Sequence, residues 1–133
     1  MKIFLLGAGG FIGSHLTEKI LNESGHEVVA FDLNGESLAP FMGRERFSFH
    51  QGDIFKDTEW IEDQVAQCDV VLPFAGVAKP AYYLSKPLWT FELDFEQNLK
   101  VVRMCAKHKK RVVFPSTSEV YGLSSDGVLL EDE

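Results

Sequence analysis

The clearest chemical pattern in the sequence is Gly7-Ala8-Gly9-Gly10-Phe11-Ile12-Gly13. It follows an apolar, β-prone run over residues 2–6 and opens a stretch with helical periodicity. That is the setting in which a glycine-rich turn cradles the pyrophosphate of a dinucleotide. Gly7 permits the tight turn, Gly10 lets the pyrophosphate approach the backbone, and Gly13 lets the helix pack closely on the sheet. The free N–H groups at the helix start, around Phe11 and Ile12, aim a positive dipole at such a ligand. Asp32 ends the second strand, 19 residues past Gly13, placed to accept hydrogen bonds from an adenosine ribose. A carboxylate there favours NAD and repels the 2′-phosphate of NADP, and no Arg or Lys follows in Leu33-Asn34-Gly35 to offset it.

Two further strand ends match this reading. Gly52-Asp53-Ile54 closes the third strand, where the Asp53 carboxylate can reach an adenine edge. Leu72-Pro73-Phe74-Ala75-Gly76 ends the fourth strand in small residues, and Ala75 leaves space for a cofactor ribose. A second polar constellation, Pro115-Ser116-Thr117-Ser118-Glu119-Val120-Tyr121-Gly122, follows the fifth strand. Hydroxyls emerging there can orient a sugar hydroxyl, and a carboxylate can move a proton.

The elements that must position these groups alternate along the chain. Strands are expected over 2–6, 27–31, 47–51, 69–74 and 111–114, with helices over 11–23, 57–66 and 88–108 and a short one near 35–41. In the first helix Ile12, Leu16 and Ile20 mark the apolar face, with Gly13 on the same side and Gly25 as the stop signal. Asp57 is placed to cap the next helix. In the longest helix Phe91, Phe95, Leu99 and Val102 form the apolar stripe, and Asn98 beside it is expected to be buried with its amide on a neighbouring main chain. Strand and helix alternating through five rounds, with nearly unbroken apolar strands, imply a parallel sheet covered on both faces. The expected fold is α/β, a Rossmann-like doubly wound sheet in order 3-2-1-4-5, with its ligand crevice at the carboxyl ends of strands 1 and 4.

The 133 residues suit a single domain, here a dinucleotide-binding unit over 1–133. A net charge of −7 argues against a nucleic-acid partner. No stretch approaches the ~20 apolar residues needed to span a bilayer, and the apolar N-terminal run breaks at the glycines with no cleavage site, so neither a membrane partner nor a signal peptide is expected. Cys68 and Cys105 read as buried, reduced thiols, which suits a cytoplasmic location. The four histidines share no metal spacing, so no metal is expected. The basic run at 108–111 reads as a solvated helix end, and 131–133 as a frayed acidic end.

With those residues in hand, the sequence resembles the extended short-chain dehydrogenase/reductases that modify nucleotide sugars. Gly7-x-x-Gly10-x-x-Gly13, Asp32, Gly52-Asp53-Ile54 and Val120-Tyr121-Gly122 carry the likeness. Thr117-Ser118-Glu119 resembles the UDP-glucuronic acid decarboxylase branch. Residues 87–99 are similar to the decarboxylase half of the bacterial polymyxin-resistance enzymes of ArnA type. The resemblance implies NAD as cofactor, contacted at Asp32, Asp53 and Ile54. It implies a nucleotide-sugar substrate such as UDP-glucuronate, contacted at Ala78, Tyr83, Thr117 and Ser118, with Glu119 as the proton-transfer carboxylate. The implied reaction oxidises C4 of the sugar and releases CO2 from the resulting β-keto acid. The helix over 88–108 commonly forms half of a dimer interface in this family, which implies a homodimer.

The family's catalytic Tyr-x-x-x-Lys follows the Thr-Ser-Glu segment, and the sequence ends at Glu133 without it. The expectation is therefore the cofactor-binding part of the fold, short of the later strands and the C-terminal substrate portion, and inactive alone. Tyr82-Tyr83-Leu84-Ser85-Lys86 has matching spacing but runs into Pro87, so a helix through it is not expected. A related 4,6-dehydratase or 4-epimerase, or a non-catalytic dinucleotide-binding module, stays open as an alternative.

Overall fold

Lys2–Leu6 (β1) holds the centre of the sheet, and Phe4, Leu5 and Leu6 lose all solvent contact there. In the computed structural model, which describes residues 1–122, Glu27–Asp32 (β2) and Val70–Pro73 (β4) flank it in parallel. Phe47–Gln51 (β3) and Arg111–Val112 (β5) complete the sheet in order β3-β2-β1-β4-β5. This is the expected doubly wound order, with β5 shorter than its sequence suggests. The acidic residues 131–133 lie outside the described residues.

Alternation along β1 sorts the core into two layers. Phe4 and Leu6 face Ile61, Val65, Val101 and Cys105, which come from Thr58–Gln67 (α2) and the far end of the long helix. Ile3 and Leu5 face Leu21 of Phe11–Glu23 (α1) and Leu38 and Phe41 of a 3₁₀ turn, Glu36–Phe41. Both cysteines are buried and free. Burial pushes the Cys68 thiol up to about 11 and raises Cys105 as well.

The helices carry the corrections. In α1 the buried line is Gly13, Thr17 and Leu21, while Ile12 is 64% exposed. Leu16 and Ile20 pack against the core from its edge, and the closest approach to the sheet falls one position on, at the small residues Gly13 and Thr17. Gly25 is not the stop. Ser24 ends the helix, with its N–H and its hydroxyl both on the Ile20 carbonyl. The Arg46 guanidinium then donates to the carbonyls of Leu21, Ser24 and His26 at 2.7–2.9 Å, satisfying groups that no helical N–H reaches. Asp57 occupies the cap position of α2, yet its carboxylate accepts the N–H of Asp53 (2.6 Å) in place of a helix N–H.

The region expected as one helix over 88–108 begins earlier and is more articulated. Ala81–Ser85 (α3) is helical through Tyr82, contrary to expectation, and stops at Lys86, whose backbone the following proline holds away from helical values. The Lys86 ammonium lies over the face of the Tyr82 ring, 5.3 Å from its centre. Pro87–Phe91 (α4), a π-helical turn Glu92–Gln97 and Asn98–Lys107 (α5) then run on without a break. Phe91 and Phe95 are about half exposed, so the aromatic stripe is not core. The inward line is instead Thr90, Asp94 and Asn98, followed by Val101 and Cys105.

At the end of α5 the basic run is more than a solvated cap. Glu62 of α2 accepts hydrogen bonds from Lys107 (2.6 Å) and His108 (3.0 Å), which hold its carboxyl below the usual range. The Lys110 N–H reaches the Cys105 carbonyl and the Lys109 N–H reaches Ala106, which places Lys109 in the left-handed region at φ 54°. No helix among the described residues is long and apolar enough to cross a membrane.

Lys109 is the only described non-glycine residue with positive φ. The substitution Lys109→Gly is expected to raise stability by about 0.5–1 kcal/mol, since the relieved strain exceeds the added unfolded-chain entropy. Urea denaturation of the two proteins measures the difference; a loss of stability would mean that the lysine side chain matters more than the backbone conformation.

Candidate functional site

The switch in chain direction at β1 opens a crevice at the carboxyl edge of the sheet. Gly7 leaves β1 with φ 77°, and its N–H bonds the Phe31 carbonyl at 2.9 Å. A Cβ at Gly7 would stand 2.5 Å from the Phe74 backbone, and one at Gly13 would stand 2.4 Å from the Gly7 carbonyl oxygen. Both glycines are therefore required by space, and they bring the start of α1 directly against the β1 exit. The first helical N–H groups, those of Phe11, Ile12 and Gly13, have no carbonyl in the preceding turn to bond. The Phe11 side chain itself turns outward onto His15, with ring centres 4.6 Å apart.

A cleft of about 270 Å³ lies here, lined by Gly7, Gly9, Gly10, Asp32, Ile54 and Ala75 among others. Asp32 is held from two sides. One carboxylate oxygen accepts the Gly9 N–H at 2.9 Å and the other accepts the Asn34 N–H at 3.1 Å. Each oxygen keeps a further lone pair for a ligand hydroxyl. Asp53 is not among the lining residues. Its neighbours Gly52 and Ile54 are, while its carboxylate accepts the Phe55 N–H and lies 3.3 Å from Lys56.

A second cleft of about 380 Å³ adjoins the first across Phe74, Ala75 and Gly76. Ala78, Asp94, Asn98 and Thr117 line it. The Tyr83 hydroxyl donates to the Val77 carbonyl at 3.0 Å, so this side chain braces the wall without lining the cleft. A 3₁₀ turn carries Ser118 and Glu119, whose side chains lie outside the described residues.

Sequence reasoning read Asn98 as structural and passed over Asp94 and Leu93. Asn98 is buried and donates through its amide to the Ala75 carbonyl at 2.8 Å, and also toward the carbonyls of Leu93 and Asp94 in the π turn. Asp94 accepts the Val77 N–H at 2.7 Å. Together they grip both sides of Gly76, the wall shared by the two clefts. The signal was available as polar residues four apart, Thr90, Asp94 and Asn98, on a helix otherwise rich in apolar ones.

Asn98→Ala is expected to cost about 1–3 kcal/mol, because it removes the amide's bond to the Ala75 carbonyl and its contacts with the carbonyls of Leu93 and Asp94. Thermal unfolding tests this; a change below about 0.5 kcal/mol would show that the amide is not holding the wall.

Residues 3–132 match the NAD dependent epimerase/dehydratase family. Among solved structures, the PbgP3 protein of Burkholderia pseudomallei is 45% identical, with a TM-score of 0.92 over 99% of this chain and 40% of its own. A UDP-glucuronic acid 4-epimerase from Bacillus cereus, solved with UDP-glucuronic acid and NAD, is 29% identical, with a TM-score of 0.85 over 99% of this chain and 45% of its own. DesIV, a dTDP-glucose 4,6-dehydratase from Streptomyces venezuelae solved with NAD, is 26% identical, with a TM-score of 0.86 over 97% of this chain and 43% of its own. The chain thus spans less than half the length of each of these proteins.

Proposed function

The chain belongs to the NAD dependent epimerase/dehydratase family, and from that premise we propose that residues 1–133 form the NAD-binding domain of an enzyme that oxidises and decarboxylates UDP-glucuronate. The observation that carries the reading is the pair of adjoining clefts, with Asp32 fixed at the outer end of one and Thr117 on the rim of the other. The donor set fits a dinucleotide. Three bare glycines and the start of α1 offer backbone alone to a pyrophosphate, and Asp32 offers two oriented oxygens to the adenosine ribose. In this reading Asp53 and Ile54 lie toward the adenine, and Ala75 leaves room for the second ribose. NAD, when bound, supplies a hydride acceptor for the sugar carbon.

The chain's own groups orient the sugar and supply one of the two proton transfers. Thr117 orients the C4 hydroxyl, whose proton would pass to the Tyr of the family's Tyr-x-x-x-Lys pair as that carbon gives up its hydride and becomes a ketone. Ala78 and Ser118 border the sugar, and Tyr83 acts through the Val77 carbonyl in the wall behind it. With C4 a ketone, the sugar is a β-keto acid. Its C5–C6 bond breaks, CO2 leaves, and the C5 carbon takes a proton from Glu119, giving a UDP-4-keto-pentose. Thr117-Ser118-Glu119 and residues 87–99 support decarboxylation, whereas the Bacillus cereus relative supports a 4-epimerase acting on the same sugar. Release of CO2 on incubation of the active enzyme with NAD+ and UDP-glucuronate separates the two. The exposed apolar side chains of Leu84, Leu88, Phe91 and Phe95 support a homodimer through the long helix, and the reduced, buried thiols support a cytoplasmic location.

Titration with both cofactors should show clear preference for NAD over NADP, because the Asp32 carboxylate repels a 2′-phosphate. Equal or tighter binding of NADP would overturn the assignment of Asp32. In the active enzyme, Glu119→Gln should leave NAD affinity unchanged and lower turnover by about 10²–10⁴-fold. Turnover close to that of the parent would reduce Glu119 to a loop residue.

A further inference from the structure

Gly9-Gly10 is the only Gly–Gly pair in the sequence, and it lines the cofactor cleft. A peptide between two glycines meets little steric resistance to flipping over, since neither flanking residue carries a Cβ. Its orientation matters here, because a flip would break the Gly10 N–H bond to the Gly7 carbonyl and turn the Gly9 oxygen toward that same carbonyl, distorting the loop that lines the cleft.

Three contacts hold this stretch in one state. The N–H of the Gly9–Gly10 peptide donates to the Gly7 carbonyl at 3.2 Å, a long bond. Its carbonyl, that of Gly9, accepts the Ser37 hydroxyl at 2.8 Å. The preceding N–H of Gly9 is taken by Asp32. The Asn34 carbonyl presses against the same residue, since a Cβ at Gly9 would stand 2.2 Å from its oxygen. Everything Gly9 can offer is thus engaged by the segment that leaves β2. Asp32 and Ser37 act as two jaws, and Ser37 closes on the carbonyl whose reversal would set it against the Gly7 carbonyl.

We propose that Ser37 is a positioning residue that locks the Gly9–Gly10 peptide with its carbonyl on the Ser37 hydroxyl and its N–H on the Gly7 carbonyl, keeping the glycine loop in shape for a pyrophosphate. The assignment rests on the cofactor reading above. Ser37 stands at the start of the 3₁₀ turn Glu36–Phe41, whose Leu38 and Phe41 are anchored in the core. The hydroxyl is therefore presented from a fixed base, although it is itself exposed. The bond's effect on folding is small for that reason, while its effect on the loop is direct.

The test compares the chain with Ser37→Ala and Ser37→Thr. Isothermal titration with NAD+ should show about five- to tenfold weaker binding for Ser37→Ala and recovery for Ser37→Thr, the range expected for one hydrogen bond. The melting midpoint should stay that of the parent. Nitrogen relaxation dispersion without ligand should show new microsecond-to-millisecond exchange at the Gly9 and Gly10 amides in Ser37→Ala, absent in Ser37→Thr. Unchanged dispersion in Ser37→Ala overturns the lock, as does NAD+ affinity within about twofold of the parent. If the parent chain itself fails to bind NAD+, the cofactor reading falls, and the dispersion experiment still decides whether Ser37 holds the peptide.

Discussion

The site depends on the pairing of β1 with β4. β1 bonds to β2 on one side and to β4 on the other, so the chain leaving β1 turns toward β2 while the chain leaving β4 turns toward β5. Two diverging exits at neighbouring strand ends leave a gap that no side chain of the sheet fills. Both clefts lie in that gap and share Phe74, Ala75 and Gly76 as their common wall. The parallel sheet can hold this arrangement because both of its faces are covered, one by α1 and the 3₁₀ turn, the other by α2 and α5.

The walls of the gap are built from main chain more than from side chains. Gly7 and Gly13 bring two backbones into contact. Gly9 is pressed by the Asn34 carbonyl, and Gly76 is held between Asn98 and Asp94. Side chains enter mostly as clamps on backbone groups, with Asp94 and Asn98 doing on the β4 side what Asp32 and Ser37 do on the β2 side. A surface of fixed N–H and C=O groups, aimed before any ligand arrives, is what electrostatic recognition of a diphosphate requires.

Strand positions and order were readable in the sequence because parallel strands are apolar on both faces and leave little to misassign. The glycine loop and Asp32 were readable because only glycine fits such close approaches. Helix faces were harder. In α1 the spacing of four was right, and Leu16 and Ile20 do pack against the core, but the fully buried line is Gly13, Thr17 and Leu21, and Ile12 is exposed. In the long helix the aromatic row Phe91 and Phe95 marked the apolar stripe, yet it is half exposed, while Asn98 is buried as expected, with Thr90 on the same inward line. Hydrophobicity picks the wrong row where a helix packs against backbone, because close approach selects small residues and unpaired carbonyls select polar ones. The fit of Asp53 to its neighbours was hidden for another reason: its carboxylate bonds within its own turn, which no spacing pattern announces.

The two buried thiols give the domain an internal clock. Cys68 and Cys105 are sealed in the layer where α2 and α5 cover the sheet, and their raised ionisation leaves almost no thiolate at neutral pH. A thiol reagent can reach them only when that layer opens. The pace of modification in the native protein therefore counts openings of the helical cover, separately from events at the glycine loop on the other side of the crevice. Slowing of that pace by a bound ligand would measure how far occupancy of the crevice steadies the layer beneath it.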